Sequence, residues 1–164
     1  MKVTTDTYRH LSLIEIEAKL AEKTSSVVID GSSLSLSNIL SVGRDLADVQ
    51  FSPDAGVLNR IQTTYEAMMN DVKNGVPIYG CNTGYGAQAS HVVNKGLKNK
   101  RVEDAWKISE GIIHIDVATG PAFNKEVVRG AMLVRINMLM NGVSAVKLGD
   151  LDICRQMLNR RVAP

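Results

Sequence analysis

Aromatic side chains are scarce in this chain, at 4% of its residues, although 45% of its residues are hydrophobic. Aliphatic side chains and seven methionines must therefore fill the core, with methionine as adaptable filler. Cysteine is as scarce. Cys81 and Cys154 form no CxxC pair and no metal-ligand spacing, so reduced thiols in a cytoplasmic protein are expected, and no metal site. Histidine occurs three times, at His10, His91 and His114, and the sequence places none of them beside Cys81 as a partner for a thiol nucleophile. The polar N-terminus has no signal-peptide core, and no run of about 18 apolar residues occurs, so no membrane partner is expected. Neither sign of charge dominates: nineteen Lys and Arg against seventeen Asp and Glu leave a formal net charge of +2. The local basic cluster of Lys95, Lys98, Lys100 and Arg101 reads as a solvated loop edge. Nucleic-acid binding would want a basic stripe with interleaved aromatics, and none is present.

What the chain does have is helical periodicity. Its 164 residues suit one domain or part of a larger one. Leu11 to Glu22 predicts an amphipathic helix, with Leu13, Ile16, Leu20 and Ala21 at helical spacing. Val27, Val28 and Ile29 run into Asp30-Gly31, a turn signal that predicts a short hairpin or an extended segment. Ser37 is expected to cap a helix running to about Asp48. Ser52-Pro53-Asp54 opens the next helix, where Val57, Ile61, Tyr65, Met68 and Val72 recur at three or four residues. Gly75 should stop it, with Pro77 reinforcing the stop.

A further helix is expected from Arg101 to about Ala118, broken near Gly120-Pro121. Asn124 then caps a helix to Asn141-Gly142 that is apolar nearly all round and so should be buried. In it Arg129 is expected to reach solvent. Arg135 and Asn137 lie in the apolar run and need partners if buried, because an unpaired buried charge is costly. A structural network pinning helices together is the stronger reading of these two, and support of an active site the weaker. A last helix from about Lys147 to Arg161 presents Leu148, Leu151, Cys154 and Leu158 on one face. The fold expected is mainly α, divided as an N-terminal helix (1–24), a hairpin with helices (25–74), a Gly-rich loop (75–100) and core helices (101–164).

Residues 76–90 carry the chemistry. They read VPIYGCNTGYGAQAS. Gly75, Gly80, Gly84 and Gly86 surround Tyr79 and Tyr85, so the backbone is free to bend and to approach a ligand closely. A tyrosine in such a loop is a phenol that can be set against a substrate proton. Tyr79-Gly80-Cys81-Asn82-Thr83-Gly84-Tyr85-Gly86 resembles the tyrosine loop of the aromatic amino acid ammonia-lyase family, Tyr-Gly-Val-(Asn/Thr)-Thr-Gly-Phe-Gly. Cys for Val and Tyr for Phe are mild departures, and Cys81 reads as a small side chain filling the Val position. Downstream, Arg129, Ala131, Met132, Arg135, Asn137, Gly142 and Ser144 fall in register with a helix of the same family. The resemblance covers the chain from about Val28 to its end.

The resemblance implies the N-terminal section of a long-helix lyase, assembled as a homotetramer, that eliminates ammonia from an aromatic L-amino acid, with phenylalanine or tyrosine favoured. It implies Tyr79 as the base that removes the β-proton. It places Gly86, Asp116 and Val117 on the substrate side, and Asn82, Arg135 and Asn137 in support. Asp116-Val117 matches none of the residue pairs by which family members read Phe, Tyr or His. The family's electrophile, 4-methylideneimidazol-5-one (MIO), is built from an internal Ala-Ser-Gly, and that triplet does not occur here. Gly149-Asp150-Leu151 follows Lys147-Leu148 and is a decoy. Leu158-Asn159-Arg160-Arg161-Val162-Ala163-Pro164 resembles the segment that precedes the triplet in the family, so the chain is expected to be an N-terminal portion of a longer enzyme, inactive alone. A 2,3-aminomutase, and a catalytically inactive helical fragment that associates with a homologue, are the alternatives.

Overall fold

The computed structural model describes residues 24–89, 91–92, 98–114 and 120–164. The expected helix from Leu11 to Glu22 lies outside the described residues. The rest is mainly helical: strand β1 (Ser26–Ile29), helix α1 (Leu36–Gly43), strand β2 (Asp48–Phe51), then helices α2 (Ala55–Asn74), α3 (Lys98–Ile113), α4 (Lys125–Met140) and α5 (Leu148–Asn159).

The extended segment is a strand but not half of a hairpin. β1 pairs with β2 in parallel, Val27 opposite Val49 and Ile29 opposite Phe51. Two parallel strands need a crossover, and α1 supplies it. Asp30-Gly31 therefore turns the chain into a helix and not into a neighbouring strand. The turn is held by the Asp30 carboxylate, which accepts from the backbone N–H groups of Ser32 and Ser33, each at 2.8 Å. The cap of α1 lies two residues before the expected Ser37. Ser35 is the N-cap, its hydroxyl accepting from Asn38 N–H at 3.2 Å while Asn38 Oδ1 accepts from Ser35 N–H at 3.0 Å, a reciprocal capping box. The helix ends at Gly43 because residues 48–51 are claimed by β2.

Asp54 caps α2 by accepting from Gly56 N–H at 2.7 Å, and Gly75 ends it in the left-handed conformation. Asn124 caps α4 as expected. α3 ends at Ile113, short of the expected Ala118.

The core gathers Val27 and Ile29 of β1, Val49 of β2, Ile61 of α2, Leu133 and Met140 of α4, and Leu151 and Leu158 of α5. α1 packs on α4, α2 on α3, and α5 on both α4 and β2. Contrary to the all-round apolar pattern, α4 is buried along one stripe, Arg129, Gly130, Leu133, Ile136, Asn137 and Met140. Its opposite side, with Val127 and Met138, is exposed.

That choice of stripe reverses two expectations. Arg129 is buried, its Nε and Nη2 both donating to the Gly43 carbonyl at the end of α1. Arg135 is exposed. Asn137 is buried and partnered, Oδ1 accepting from Gly31 N–H at 3.0 Å. Gly31 has φ +94°, and a Cβ there would lie 2.6 Å from the Asn141 backbone nitrogen, so no other residue fits where the turn after β1 meets the end of α4.

Candidate active-site loop

After Gly75 the chain folds back on itself. Val76 N–H donates to the Asp71 carbonyl at 2.9 Å, and Thr83 forms an antiparallel bridge with Val92, joined by Gly84 N–H to the His91 carbonyl at 3.2 Å. Two buried side chains hold the loop's base. Asn82, 4% exposed, accepts from Ile78 N–H at 2.7 Å and donates to the Val76 carbonyl at 2.8 Å. Thr83, 1% exposed, accepts from Gly80 N–H at 3.2 Å and lies 3.1 Å from the Gly84 carbonyl through its hydroxyl. Buried polar side chains that satisfy backbone groups in this way fix a loop that has no ladder of its own.

The loop presents two tyrosines outward. Tyr79 is 65% exposed and Tyr85 42%. Their rings meet edge to face, 6.0 Å between centroids and 79° between planes, a favourable arrangement for aromatic quadrupoles. Tyr85 O–H donates to the Gly80 carbonyl at 2.9 Å, and the Tyr79 phenol oxygen accepts from Gly86 N–H at 3.4 Å. Gly80 has φ +70°, and a Cβ there would stand 2.9 Å from the Tyr85 ring. Glycine at 80 thus permits both the turn and the ring contact.

Cys81 turns the other way. It is half-buried, its sulfur 4.0 Å from Met68 Sδ on α2, and burial pushes its thiol above the ordinary 9.0. A thiol so placed is not an activated nucleophile.

The loop therefore brings together Tyr79, Asn82 and Gly86 of the residues singled out by sequence. Among the described residues, Arg135 and Asn137 are not hydrogen-bond partners of the loop: Arg135 borders an apolar groove on α4, and Asn137 ties α4 to Gly31. Asp116 and Val117 lie outside the described residues. Thr83 and the Tyr85 hydroxyl were missed as loop fasteners. Their signal was a hydroxyl on each side of Gly84, within six residues of Tyr79. Among the described residues no group of three or more His, Cys, Asp or Glu could hold a metal ion. No described helix is long and apolar enough to cross a membrane.

Comparison with known proteins identifies a family. The profile of a family described as "Aromatic amino acid lyase" matches residues 34–164. A histidine ammonia-lyase from Caldanaerobacter subterraneus is 34% identical over 139 residues, covering 84% of this chain and 26% of the relative. An aromatic ammonia-lyase from Loktanella atrilutea is 32% identical over 140 residues, covering 85% of this chain and 24% of the relative. Among solved structures, tyrosine aminomutase from Streptomyces globisporus superposes with a TM-score of 0.70 at 28% identity, over 82% of this chain and 24% of that one. The chain thus spans about a quarter of the length of the curated relatives it matches.

Proposed function

This chain belongs to the aromatic amino acid lyase family, and from that premise we propose that it supplies the proton-abstracting loop of an ammonia-lyase acting on an aromatic L-amino acid, phenylalanine or tyrosine. The observation that carries the reading is the placement of Tyr79: a phenol 65% exposed on a loop whose base is pinned by buried Asn82 and Thr83. A general base must reach a substrate proton while its own backbone stays fixed. In the elimination the base takes the β-proton, the electron pair forms the α,β double bond, the C–N bond breaks, and ammonia and an arylacrylate result. General-base help of this kind contributes about 10²- to 10⁴-fold. Gly86 N–H, against the phenol oxygen, orients the ring.

The MIO electrophile that the resemblance implies does not fit the residues present. There is no Ala-Ser-Gly in the chain. Its nearest echo, Gly149-Asp150-Leu151, lies in the first turn of α5, where Leu151 N–H is already bonded to the Lys147 carbonyl at 3.3 Å. The reading assigns this chain the base loop and no step through the electrophile. It also carries a homotetrameric assembly and a cytoplasmic location. Asp116 and Val117 remain its proposed side-chain-facing residues.

The test uses the 164-residue chain and the same chain extended by an Ala-Ser-Gly-bearing segment. The 164 residues alone should release no ammonia from Phe, Tyr or His. In the extended chain, Tyr79→Phe should lower kcat by about 10²-fold or more with folding unchanged. Sustained turnover by the short chain, or full activity of the Tyr79→Phe variant, refutes the reading. The relative named for histidine makes an imidazole substrate the second reading, distinguished by whether urocanate or an arylacrylate accumulates. Return of the amine to the β-carbon would indicate an aminomutase, the activity named for the solved relative.

A further inference from the structure

A cavity of about 290 Å³ lies between α2, α3 and the turn into α5, and Tyr79 is not among its lining residues. Its walls are apolar: Met68, Met69 and Val72 on α2, and Val102, Ala105 and Trp106 on α3. Cys81 reaches it from the tyrosine loop. Two opposite charges also line it, Lys147 and Asp150, both exposed. They stand one turn apart at the start of α5, Lys147 as the N-cap, a spacing that brings side chains to the same side of a helix. Neither is ion-paired, with the other or with any charged group among the described residues. The Lys147 ammonium instead lies 5.2 Å from the centroid of the Trp106 ring and 5.7 Å from that of Tyr65, within cation–π reach.

We propose that this cavity is a binding site for a free α-amino acid with a large apolar side chain. The apolar walls take the side chain, Lys147 meets the α-carboxylate, and Asp150 meets the α-ammonium. Small-molecule sites start near about 300 Å³, so the volume suits a ligand of amino-acid size. A carboxylic acid lacking the amine would set its charge beside Asp150 with nothing to offset it. An amine lacking the carboxylate would leave Lys147 unmatched. Occupancy also bears on the loop, because Cys81 and Met68 line the cavity and touch each other at 4.0 Å, and Cys81 follows Tyr79 by two residues. Resting on the proposed function, this makes the cavity a regulatory site for an amino acid of the substrate's own class. Binding itself does not depend on that reading.

Trp106 is the chain's single tryptophan, so its fluorescence reports on the cavity directly. The 164-residue chain is titrated with L-phenylalanine, L-leucine, L-alanine, phenethylamine and 3-phenylpropionate. L-Phenylalanine and L-leucine should give a saturable change, half-complete on the order of 1 mM as small ligands require. Alanine, which lacks the large side chain, and the two half-matched probes, which each lack one polar contact, should bind at least about tenfold more weakly. Lys147→Ala and Asp150→Asn, both at exposed positions, should each weaken L-phenylalanine by a similar factor. In a Cys154→Ser background, L-phenylalanine should also protect Cys81 from alkylation. The proposal is overturned if no amino acid gives a saturable change, or if 3-phenylpropionate binds as well as L-phenylalanine. It is also overturned if Tyr79→Phe abolishes binding, which would place the ligand at the tyrosine loop. These outcomes read binding alone, and the ammonia assay reads the proposed function separately.

Discussion

At the scale of single residues, the two tyrosines have different work. Tyr79 offers its hydroxyl to solvent and accepts from Gly86 N–H, whereas Tyr85 uses its hydroxyl on the Gly80 carbonyl. Tyr85→Phe should therefore keep the ring contact and lose one exposed hydrogen bond, worth about 0.5–1.5 kcal/mol. In the extended enzyme its effect on kcat should be mild beside that of Tyr79→Phe, and equal effects would undo the division of roles. Cys81 gives a pH prediction. Alkylation needs the thiolate, and burial holds the Cys81 thiol above 9.0. Its rate should be lower than that of a free thiol at pH 8 and should still be climbing at pH 9.0, without a plateau. Stopped reactions resolved by peptide mass spectrometry read this, and a plateau reached below pH 8 would mean the thiol is not buried as described.

At the scale of elements, α4 shows what a sequence can and cannot display. Its existence, its Asn124 cap and its end at Asn141-Gly142 follow from local chemistry and are found as expected. Which of its faces is buried does not follow, because an all-round apolar pattern has no preferred direction. Packing against α1 and α5 selects the stripe with Arg129 and Asn137, and leaves Arg135 outside. β2 was missed for a related reason. Its four residues, Asp48–Phe51, gain strand character from a partner about twenty positions earlier, and short strands carry little signal of their own. The loop was legible because its glycines and tyrosines act locally; the partners of Arg129 and Asn137 were not, because they depend on helix packing. Asn137→Ala would leave the Gly31 N–H without its acceptor at a partly buried contact. It should cost about 1–3 kcal/mol, seen as a lower urea midpoint. A variant as stable as the parent would show that Asn137 does not pin this contact.

At the scale of the whole molecule, the core is closed on one side and open on the other. An apolar groove of about 580 Å³ runs along α4 and α5, and Phe123, at 78% exposed, borders it. Apolar patches of this kind favour association. The isolated chain should therefore elute as concentration-dependent oligomers in light-scattering chromatography, and a monodisperse monomer at all concentrations would contradict this. The small parallel sheet is guarded by a different device. The free edge of β2 is occupied by Asn159 at the end of α5, whose side-chain amide accepts from Val49 N–H at 2.8 Å and donates to the Val49 carbonyl at 3.1 Å. One carboxamide thus imitates the backbone of a third strand. The consequence concerns fibre formation: Asn159→Leu would bare a strand edge on which other chains can template. Such a variant should seed cross-β aggregates that bind thioflavin T sooner than the parent does, even though its helices are intact.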